Sequence, residues 1–365
     1  MPDTPKFDKG ALAWTLPWDD DWVTAVAVLG PTRRVAAGNN LGQVLVWDLP
    51  EKADAPAPAP VRRLDGHTNV ISRLLATADG RWLISAGYDH TVRLWDMSAS
   101  TKGTALVVPD ANARAAAKKR GKPLPDAPVT VGLQQAERVL EGHKEWVQAL
   151  SLTPDGKVLV SGDDAGRVIV WDVPSGKETR RWQVKGWVYA LAVSPDARRL
   201  LISERFPLVY DPAKIIATKL WDATTGQVVR DLEDVFKKDY QSAAVFSLDG
   251  KLVAVGRGGE VNGPSGTIAL LDAATGKKLH ELKPGHEYGV TDLAFHPDGK
   301  HLASAGRDTV VRVWSAADGK LVKELGKARG GQFKDWIHAI SFSADGRLLA
   351  AADMAGAVQV WNFPA

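Results

Sequence analysis

The chain of 365 residues contains no cysteine, which excludes disulfide bonds, thiol nucleophiles and cysteine metal ligands. It also lacks an apolar run of roughly 18 residues, the length that a membrane-spanning helix needs. No strong charge of one sign is present, because 46 basic and 43 acidic side chains leave a net charge of only +3. The balance gives no overall indication of a nucleic-acid or membrane partner. No signal peptide is visible, so we expect a soluble protein and favour a cytoplasmic location.

One pattern recurs seven times along the chain. It consists of an apolar strand, a turn of the Asp-Gly type, a strand of small residues, a loop and an alternating strand that ends in Trp-Asp or a near match. The closing pairs are Trp47-Asp48, Trp95-Asp96, Trp171-Asp172, Trp221-Asp222, Leu271-Asp272, Trp314-Ser315 and Trp361-Asn362. Asp-Gly pairs suit tight hairpins, and the strands are rich in β-branched residues. The pattern predicts an all-β protein with four antiparallel strands in each repeat.

Three repeats also begin with a Gly-His pair, at Gly66-His67, Gly142-His143 and Gly285-His286. With the Trp-Asp closures, these pairs make the chain similar to the WD40 family, and we expect a bacterial type of WD40 protein. The resemblance implies one seven-bladed β-propeller over residues 1–365. The blades are expected near residues 19–50, 62–97 with an insertion at 98–136, 137–178, 179–226, 227–276, 277–319 and 320–363. Residues 10–16 read like an outer strand, so we expect them to close the last blade.

Two repeats carry sets that look like catalytic triads, because Ser, His and Asp occur together with the closing Trp. The sets are His67, Ser85, Asp89, Trp95 and His286, Ser304, Asp308, Trp314. Their repetition argues against an active site, and the family resemblance implies a buried hydrogen-bond network instead. The third repeat keeps His143, Ser161 and Trp171, but Ala165 stands where we expect the Asp.

We find no further chemistry-bearing motif. The eight histidines are scattered, and we expect none of them to form a two-histidine and carboxylate set for a metal. The acidic run at 19–21 favours a solvated loop over a calcium site, and the glycines at 256–259 lack a phosphate-loop continuation. We therefore predict no catalytic residue, no metal and no cofactor.

Aromatic and basic residues cluster in the loops that the resemblance places on one face, which we name the upper face. The candidate partner-binding residues are Trp22, Trp146, Trp187, Tyr240, Tyr288, Trp336, Arg205, Arg257, Arg329 and Lys334. Tryptophan, tyrosine and arginine contribute most to interface energetics, although each ring could equally pack beneath a loop. The basic side chains favour an acidic protein or peptide.

The insertion at 98–136 contains an alanine-rich and basic stretch. We expect a solvated mobile loop there, with a docking arm for an acidic partner as the alternative, and we predict first protease cleavage near residues 118–122.

The sequence thus favours a protein-binding scaffold or recognition module that is a monomer by itself, with nucleic acid and membrane disfavoured as partners. The alternative is a propeller enzyme or a small-ligand-binding protein with its site in the central channel. Against catalysis, the innermost positions offer one histidine and no carboxylate. These positions are Thr24, Ser72, Gln148, Tyr189, Ser242, Thr291 and His338.

Overall fold

The computed structural model describes residues 5–18, 22–107, 128–205, 216–232, 235, 241–258, 266–327 and 336–364. A short 3-10 helix, Phe7–Lys9, precedes β1 (Ala11–Pro17). The next strands are β2 (Val23–Leu29), β3 (Arg34–Asn39), β4 (Val44–Asp48), β5 (Arg62–Asp65), β6 (Ile71–Ala76), β7 (Trp82–Gly87) and β8 (Val92–Asp96). They are followed by β9 (Thr104–Val107), β10 (Val129–Gln135), β11 (Arg138–Leu140), β12 (Val147–Leu152), β13 (Val158–Asp163), β14 (Arg167–Asp172) and β15 (Lys177–Gln183).

The second half of the chain continues the same alternation of strands and turns. Its first strands are β16 (Trp187–Val193), β17 (Arg199–Arg205), β18 (Ile216–Asp222), β19 (Gln227–Asp231), β20 (Gln241–Phe246), β21 (Leu252–Arg257), β22 (Gly266–Asp272) and β23 (Lys278–His286). The last are β24 (Val290–Phe295), β25 (His301–Gly306), β26 (Val310–Ser315), β27 (Leu321–Gly326), β28 (Ile337–Phe342), β29 (Leu348–Asp353) and β30 (Ala357–Asn362).

These strands form seven sheets, each of which is one blade. From the inner to the outer strand the blades are β2-β3-β4-β5, β6-β7-β8-β11, β12-β13-β14-β15, β16-β17-β18-β19, β20-β21-β22-β23, β24-β25-β26-β27 and β28-β29-β30-β1. Each inner strand contacts the inner strands of both neighbouring blades, and β28 contacts β2, so the ring is closed. The predicted seven-bladed, all-β propeller is confirmed.

The N-terminal strand completes the last blade, as predicted. β1 pairs antiparallel with β30, with Leu16 opposite Val358. Trp14 and Leu16 are buried in the core between the last blade and the first. β1 thus covers the edge of β30 and holds the two ends of the chain in one sheet.

The core is divided among the blade interfaces. Each apolar cluster joins residues of neighbouring blades, and the closing tryptophans fill the space between sheets, with Trp95 and Trp314 fully buried. Hydroxyl groups also cross these interfaces near the channel. Thr24 donates to the Ile71 carbonyl and Ser72 to the Val147 carbonyl, both at 2.5 Å.

The Asp-Gly turns after the inner strands take the conformation that their sequence favours. Gly80, Gly156, Gly250, Gly299 and Gly346 all have φ close to +70°, a region that glycine enters without steric cost. Blade four has Ala197 at this place, and its φ is +57°. The same turn therefore forms there with a residue that prefers it less.

The described ends of the insertion form two strands. β9 and β10 pair with each other, and β10 adds parallel to β5 at the outer edge of blade one. The alanine-rich stretch, for which the sequence favoured a mobile loop or a docking arm, lies outside the described residues. The side chain of Gln134 fixes this extension by accepting from Arg62 at 2.6 Å and donating to the Asp96 carbonyl at 2.7 Å. The predicted cleavage site lies outside the described residues.

Candidate functional site

The sets that resemble catalytic triads are joined by hydrogen bonds inside blades two and six. In blade two the indole N–H of Trp95 donates to the Ser85 hydroxyl at 2.9 Å, and Ser85 lies 2.7 Å from His67 Nε2. His67 Nδ1 lies 2.9 Å from the Asp89 carboxylate. A chain of donors from Trp through Ser and His to Asp satisfies every group when His67 is neutral and protonated on Nδ1.

Blade six repeats this arrangement. Trp314 donates to Ser304 at 2.8 Å, and His286 spans from Ser304 at 2.7 Å to Asp308 at 2.8 Å. Arg312 adds a further ion pair to Asp308 at 2.8 Å. Ser85 and Ser304 both have 0% exposure, so neither hydroxyl can reach a substrate.

Burial and hydrogen bonding set the ionisation of these groups. Burial lowers the pKa of His67 and of His286 in spite of their carboxylate partners, so both are neutral near pH 7. For Asp89, burial opposes ionisation, but the hydrogen bonds from His67, Thr91 and the Thr68 N–H outweigh it and lower the pKa to about 2. Each of these networks therefore pairs a neutral histidine with a serine that is not exposed.

Blade three contains a network of the same kind, for which the sequence indicated the histidine, the serine and the tryptophan but no carboxylate. His143 Nε2 lies 2.6 Å from Ser161, and its Nδ1 lies 2.8 Å from Asp163. The expectation that Ala165 leaves this blade without a carboxylate was wrong. Asp163 is the last residue of β13, so its carboxylate reaches the histidine from the strand end instead of from the following loop.

The expectation that no histidine pair meets a carboxylate was also wrong. In the turn after β24, His296, Asp298 and His301 bring their ligand atoms within 4.8 Å of one another. Two histidines and a carboxylate are a donor set that transition metals accept. These groups already hydrogen-bond, however: His296 Nε2 lies 3.0 Å from the Gly346 carbonyl, and His301 Nδ1 lies 2.7 Å from Asp298. The set thus holds the turn between β24 and β25 of blade six and joins it to the corresponding turn of blade seven.

The upper face carries two strongly exposed tryptophans. In an antiparallel blade the turn after the second strand and the connection after the fourth lie at the same end, and Trp22 and Trp146 follow such connections. Trp22 is 46% exposed and Trp146 is 45% exposed. The ring of Trp146 stacks on Tyr88 of blade two, with 4.6 Å between the ring centroids and 5° between the planes.

The other predicted aromatic residues are less available. Trp187 and Tyr288 are half-buried. Trp336 is only 6% exposed, because the Arg307 guanidinium covers its ring at 4.4 Å from the centroid. Trp336 therefore packs inside the upper face instead of facing a partner.

The predicted basic residues divide in the same way. Arg205 ends β17 with its guanidinium 5.3 Å from the Tyr189 ring centroid, and the half-buried Arg257 ends β21. Tyr240, Arg329 and Lys334 lie outside the described residues, as does the acidic run at 19–21.

A polar chain connects the Trp146 stack to blade three. The Tyr88 hydroxyl donates to Gln148 Oε1 at 3.0 Å, and Gln148 Nε2 donates to Asp164 at 3.2 Å. Burial raises the pKa of Asp164 to about 6. Tyr88 and Asp164 were missed by the sequence analysis. Both directly follow the second strand of their blades, and aligning that position across the repeats would have found them.

The central channel holds a cavity of about 600 Å³ that is lined by all seven inner strands. Arg73 and Asp292 both line it. The expectation that no carboxylate lies near the axis was therefore wrong. It depended on the alignment of the repeats, which places Thr291 at the innermost position of blade six. The next residue, Asp292, follows the β-bulge and faces the cavity.

Comparisons with known proteins agree with this architecture. The family model described as "WD domain, G-beta repeat" matches residues 58–96, 134–172, 276–315 and 320–362. The small ribosomal subunit protein RACK1 of Neurospora crassa is 26% identical over 324 residues, which cover 83% of this chain and 96% of that protein. RACK1 of Drosophila melanogaster is also 26% identical, over 84% of this chain and 97% of that protein.

A further relative is the target of rapamycin complex subunit wat1 of Schizosaccharomyces pombe. It is 26% identical over 65% of this chain and 74% of its own length. Within the described ranges, no helix is long and apolar enough to cross a membrane. The four matched segments are WD40 repeats, and together with the seven four-stranded blades they make this chain similar to the proteins of the WD40-repeat family.

Proposed function

We propose that this protein is a binding scaffold for other proteins and that its upper face, around Trp146 and Trp22, is the working surface. The observation that carries the proposal is the stack of Trp146 on Tyr88. Nearly half of the Trp146 side chain is open to solvent, yet the stack limits its motion. A preorganised aromatic ring loses little conformational entropy when a partner covers it.

The blade framework supports such an anchor. Trp146 directly precedes β12, whose residues pack in the core between blades two and three, and Tyr88 directly follows β7. The Tyr88 hydroxyl is held by Gln148, so both rings are fixed from below. Exposed aromatic residues on a rigid support are typical of positions that dominate the energy of protein interfaces.

Two arginines of the upper face favour a partner with acidic groups. Arg205 and Arg307 lie over aromatic rings on the same face, which orients their guanidinium groups. An ionised Asp164 would oppose an acidic partner, but its pKa of about 6 means that a small loss of solvent contact would favour the neutral form. An acidic partner therefore remains our proposal for this face.

The relatives favour a role inside multiprotein assemblies. Two of them are named as a ribosomal subunit protein and one as a subunit of the target of rapamycin complex. We infer that this chain likewise presents its surface to other proteins and has no catalytic step of its own. These three relatives come from fungi and an insect, so the bacterial type remains a prediction, as do the cytoplasmic location and the monomeric state.

The test is affinity capture from the native host with a Trp22→Ala, Trp146→Ala double variant. We expect a partner protein that the wild type retains to be reduced by about tenfold or more, since each hot-spot truncation costs about 1 to 2 kcal/mol. The matched control is Val228→Ala, Val229→Ala, which changes two similarly exposed residues on the outer strand of blade four. Equal capture by both double variants would overturn the assignment of the upper face.

A further inference from the structure

One layer of the channel has the same small residue in five blades, a cationic residue in one blade and an anionic residue in another. The layer consists of the residue that follows the β-bulge in each inner strand. Its members are Ala25, Arg73, Ala149, Ala190, Ala243, Asp292 and Ala339. Five members are alanines, and Arg73 and Asp292 are the two charged members, both of which line the cavity.

The two charged residues differ in how their polar atoms are satisfied. Asp292 accepts hydrogen bonds from the Ile340 N–H at 2.8 Å and from the Leu293 N–H at 3.0 Å. Arg73 makes no hydrogen bond and no ion pair with any residue in the part of the chain that the structure describes. A guanidinium has five N–H donors and is always charged at neutral pH. The donors of Arg73 are therefore available to a further acceptor, although its charge already acts on Asp292, whose pKa burial raises and Arg73 lowers.

Two polar side chains in the residues that precede members of this layer also lack a hydrogen-bond partner within the described parts of the chain. His338 Nε2 and Thr291 Oγ1 are buried without a hydrogen-bond partner among the described residues. Burial and the nearby charge of Arg73 lower the pKa of His338 to about 4, so the ring is neutral at pH 7. Arg73 is thus the charged donor that lines the cavity at this level.

Most of the remaining side chains that line the cavity are apolar. From the layer of Arg73 it extends along side chains such as Leu75, Ala244 and Phe342 to the turns after the inner strands. A volume of about 600 Å³ lies within the range of roughly 300 to 1,000 Å³ that small-molecule sites occupy. An apolar body with one charged end matches this lining.

We propose that the channel is a binding site for a small monocarboxylate with an apolar body, whose carboxylate pairs with Arg73. A guanidinium and a carboxylate form two parallel hydrogen bonds in a plane, which fixes the head of the ligand. A monocarboxylate brings one negative charge into the layer of Asp292, whereas a dianionic phosphate brings two, so the monocarboxylate meets the weaker repulsion. The site is distinct from the upper face and goes beyond the scaffold function.

The experiment is isothermal titration calorimetry with hexanoate and with hexanamide, which has the same body without the charge. We expect hexanoate to bind the wild type and to bind Arg73→Ala at least about tenfold more weakly, because a charged hydrogen-bonded pair is lost. Hexanamide is expected to bind weakly and equally to both. Arg180→Ala, which removes an exposed arginine of β15, is the matched control and is expected to bind hexanoate like the wild type.

Arg73→Ala is expected to fold, since alanine occupies this position in five other blades, and a thermal melt checks this. A second variant, Ala244→Phe, keeps Arg73 but fills the cavity and is expected to abolish hexanoate binding. The proposal is overturned if the wild type does not bind hexanoate or if Arg73→Ala binds it equally well. Neither channel variant replaces a residue of the stack between Trp146 and Tyr88, so such a failure would leave the scaffold proposal standing.

Discussion

Blades two, three and six differ from blade four in how the closing tryptophan is satisfied. In the first three blades its indole N–H donates to a buried serine, at 2.8 to 2.9 Å. In blade four Ile202 occupies the position of this serine. Ile202 pairs with Lys219 in its sheet, just as Ser85 pairs with Arg93 in blade two. The indole N–H of Trp221 consequently has no hydrogen-bond partner among the described residues.

The difference shows that the network combines two separable tasks. In blades with the histidine, one chain of bonds satisfies the tryptophan and holds the loop that enters the blade. Blade four keeps only the second task, because Glu204 accepts from the N–H groups of Lys185 and Gly186, both at 2.9 Å. The tethering of this loop thus tolerates different side chains, whereas an acceptor for the indole requires the serine.

The largest effect is expected from deleting β1, the outer strand of blade seven. Like blade four, this blade lacks the serine, and it depends on β1 for its outer strand. We expect deletion of residues 1–17 to cost about 5 kcal/mol or more, since Phe7, Trp14 and Leu16 are all buried. Thermal unfolding followed by circular dichroism measures the loss. Adding a peptide of residues 1–17 should restore part of the stability, and deletion of residues 1–4 alone is the control. An unchanged melting temperature would refute the closing role of β1.

A matched pair of substitutions would sharpen the comparison of the tryptophans. Trp314→Phe is expected to destabilise the protein by about 2 kcal/mol, because it removes the donor to Ser304 in a buried network. Trp221→Phe removes a donor that has no acceptor, so we expect a clearly smaller loss. Urea denaturation of both variants measures the difference. Equal losses would mean that ring volume, and not the hydrogen bond, determines the cost.

The network also predicts a dependence of stability on pH. The pKa of Asp89 is held at about 2, below its unfolded value, so its contribution is present above about pH 4 and is lost as the pH falls towards 2. His67 acts in the same sense, because burial lowers its pKa and only the unfolded chain takes up its proton below about pH 6.5.

Asp89→Asn should therefore lower the free energy of unfolding at pH 7 by on the order of 1 kcal/mol and flatten its decline between about pH 5 and pH 3. Urea denaturation across this range measures both effects. Asp48→Asn alters an exposed carboxylate of blade one, which has no such network, and its curve should run parallel to that of the wild type. If the slope of Asp89→Asn also stays parallel, Asp89 does not couple to folding.

Much of the fold could be predicted because the same local sequence patterns recur in the repeats. The Asp-Gly turns fix hairpins, and the alternation around each Trp-Asp pair fixes which side of a strand is buried. The pairing of β10 with β5 could not be predicted, because a long insertion contains no local signal for the edge that it joins. That edge exists only once blade one has folded.

The candidate site was predicted less completely. The sequence indicated Trp22 and Trp146, but whether a ring faces solvent depends on its neighbours across the blade interface. Tyr88 supports Trp146, whereas Arg307 covers Trp336. Asp163 was missed for a similar reason, since a fixed offset along the sequence does not reveal which end of a loop lies nearer to His143.

The sequence by itself determined the number of blades, the hairpin turns and the N-terminal closure, because these depend on the local pattern and its repetition. Tertiary structure alone decided which aromatic residues stay exposed and where the carboxylates of blades three and six lie. It also decided that Arg73 and Asp292, 219 positions apart in the chain, meet in one layer of the channel. Such contacts arise from the packing of different blades around one axis, and no local stretch of sequence encodes that geometry.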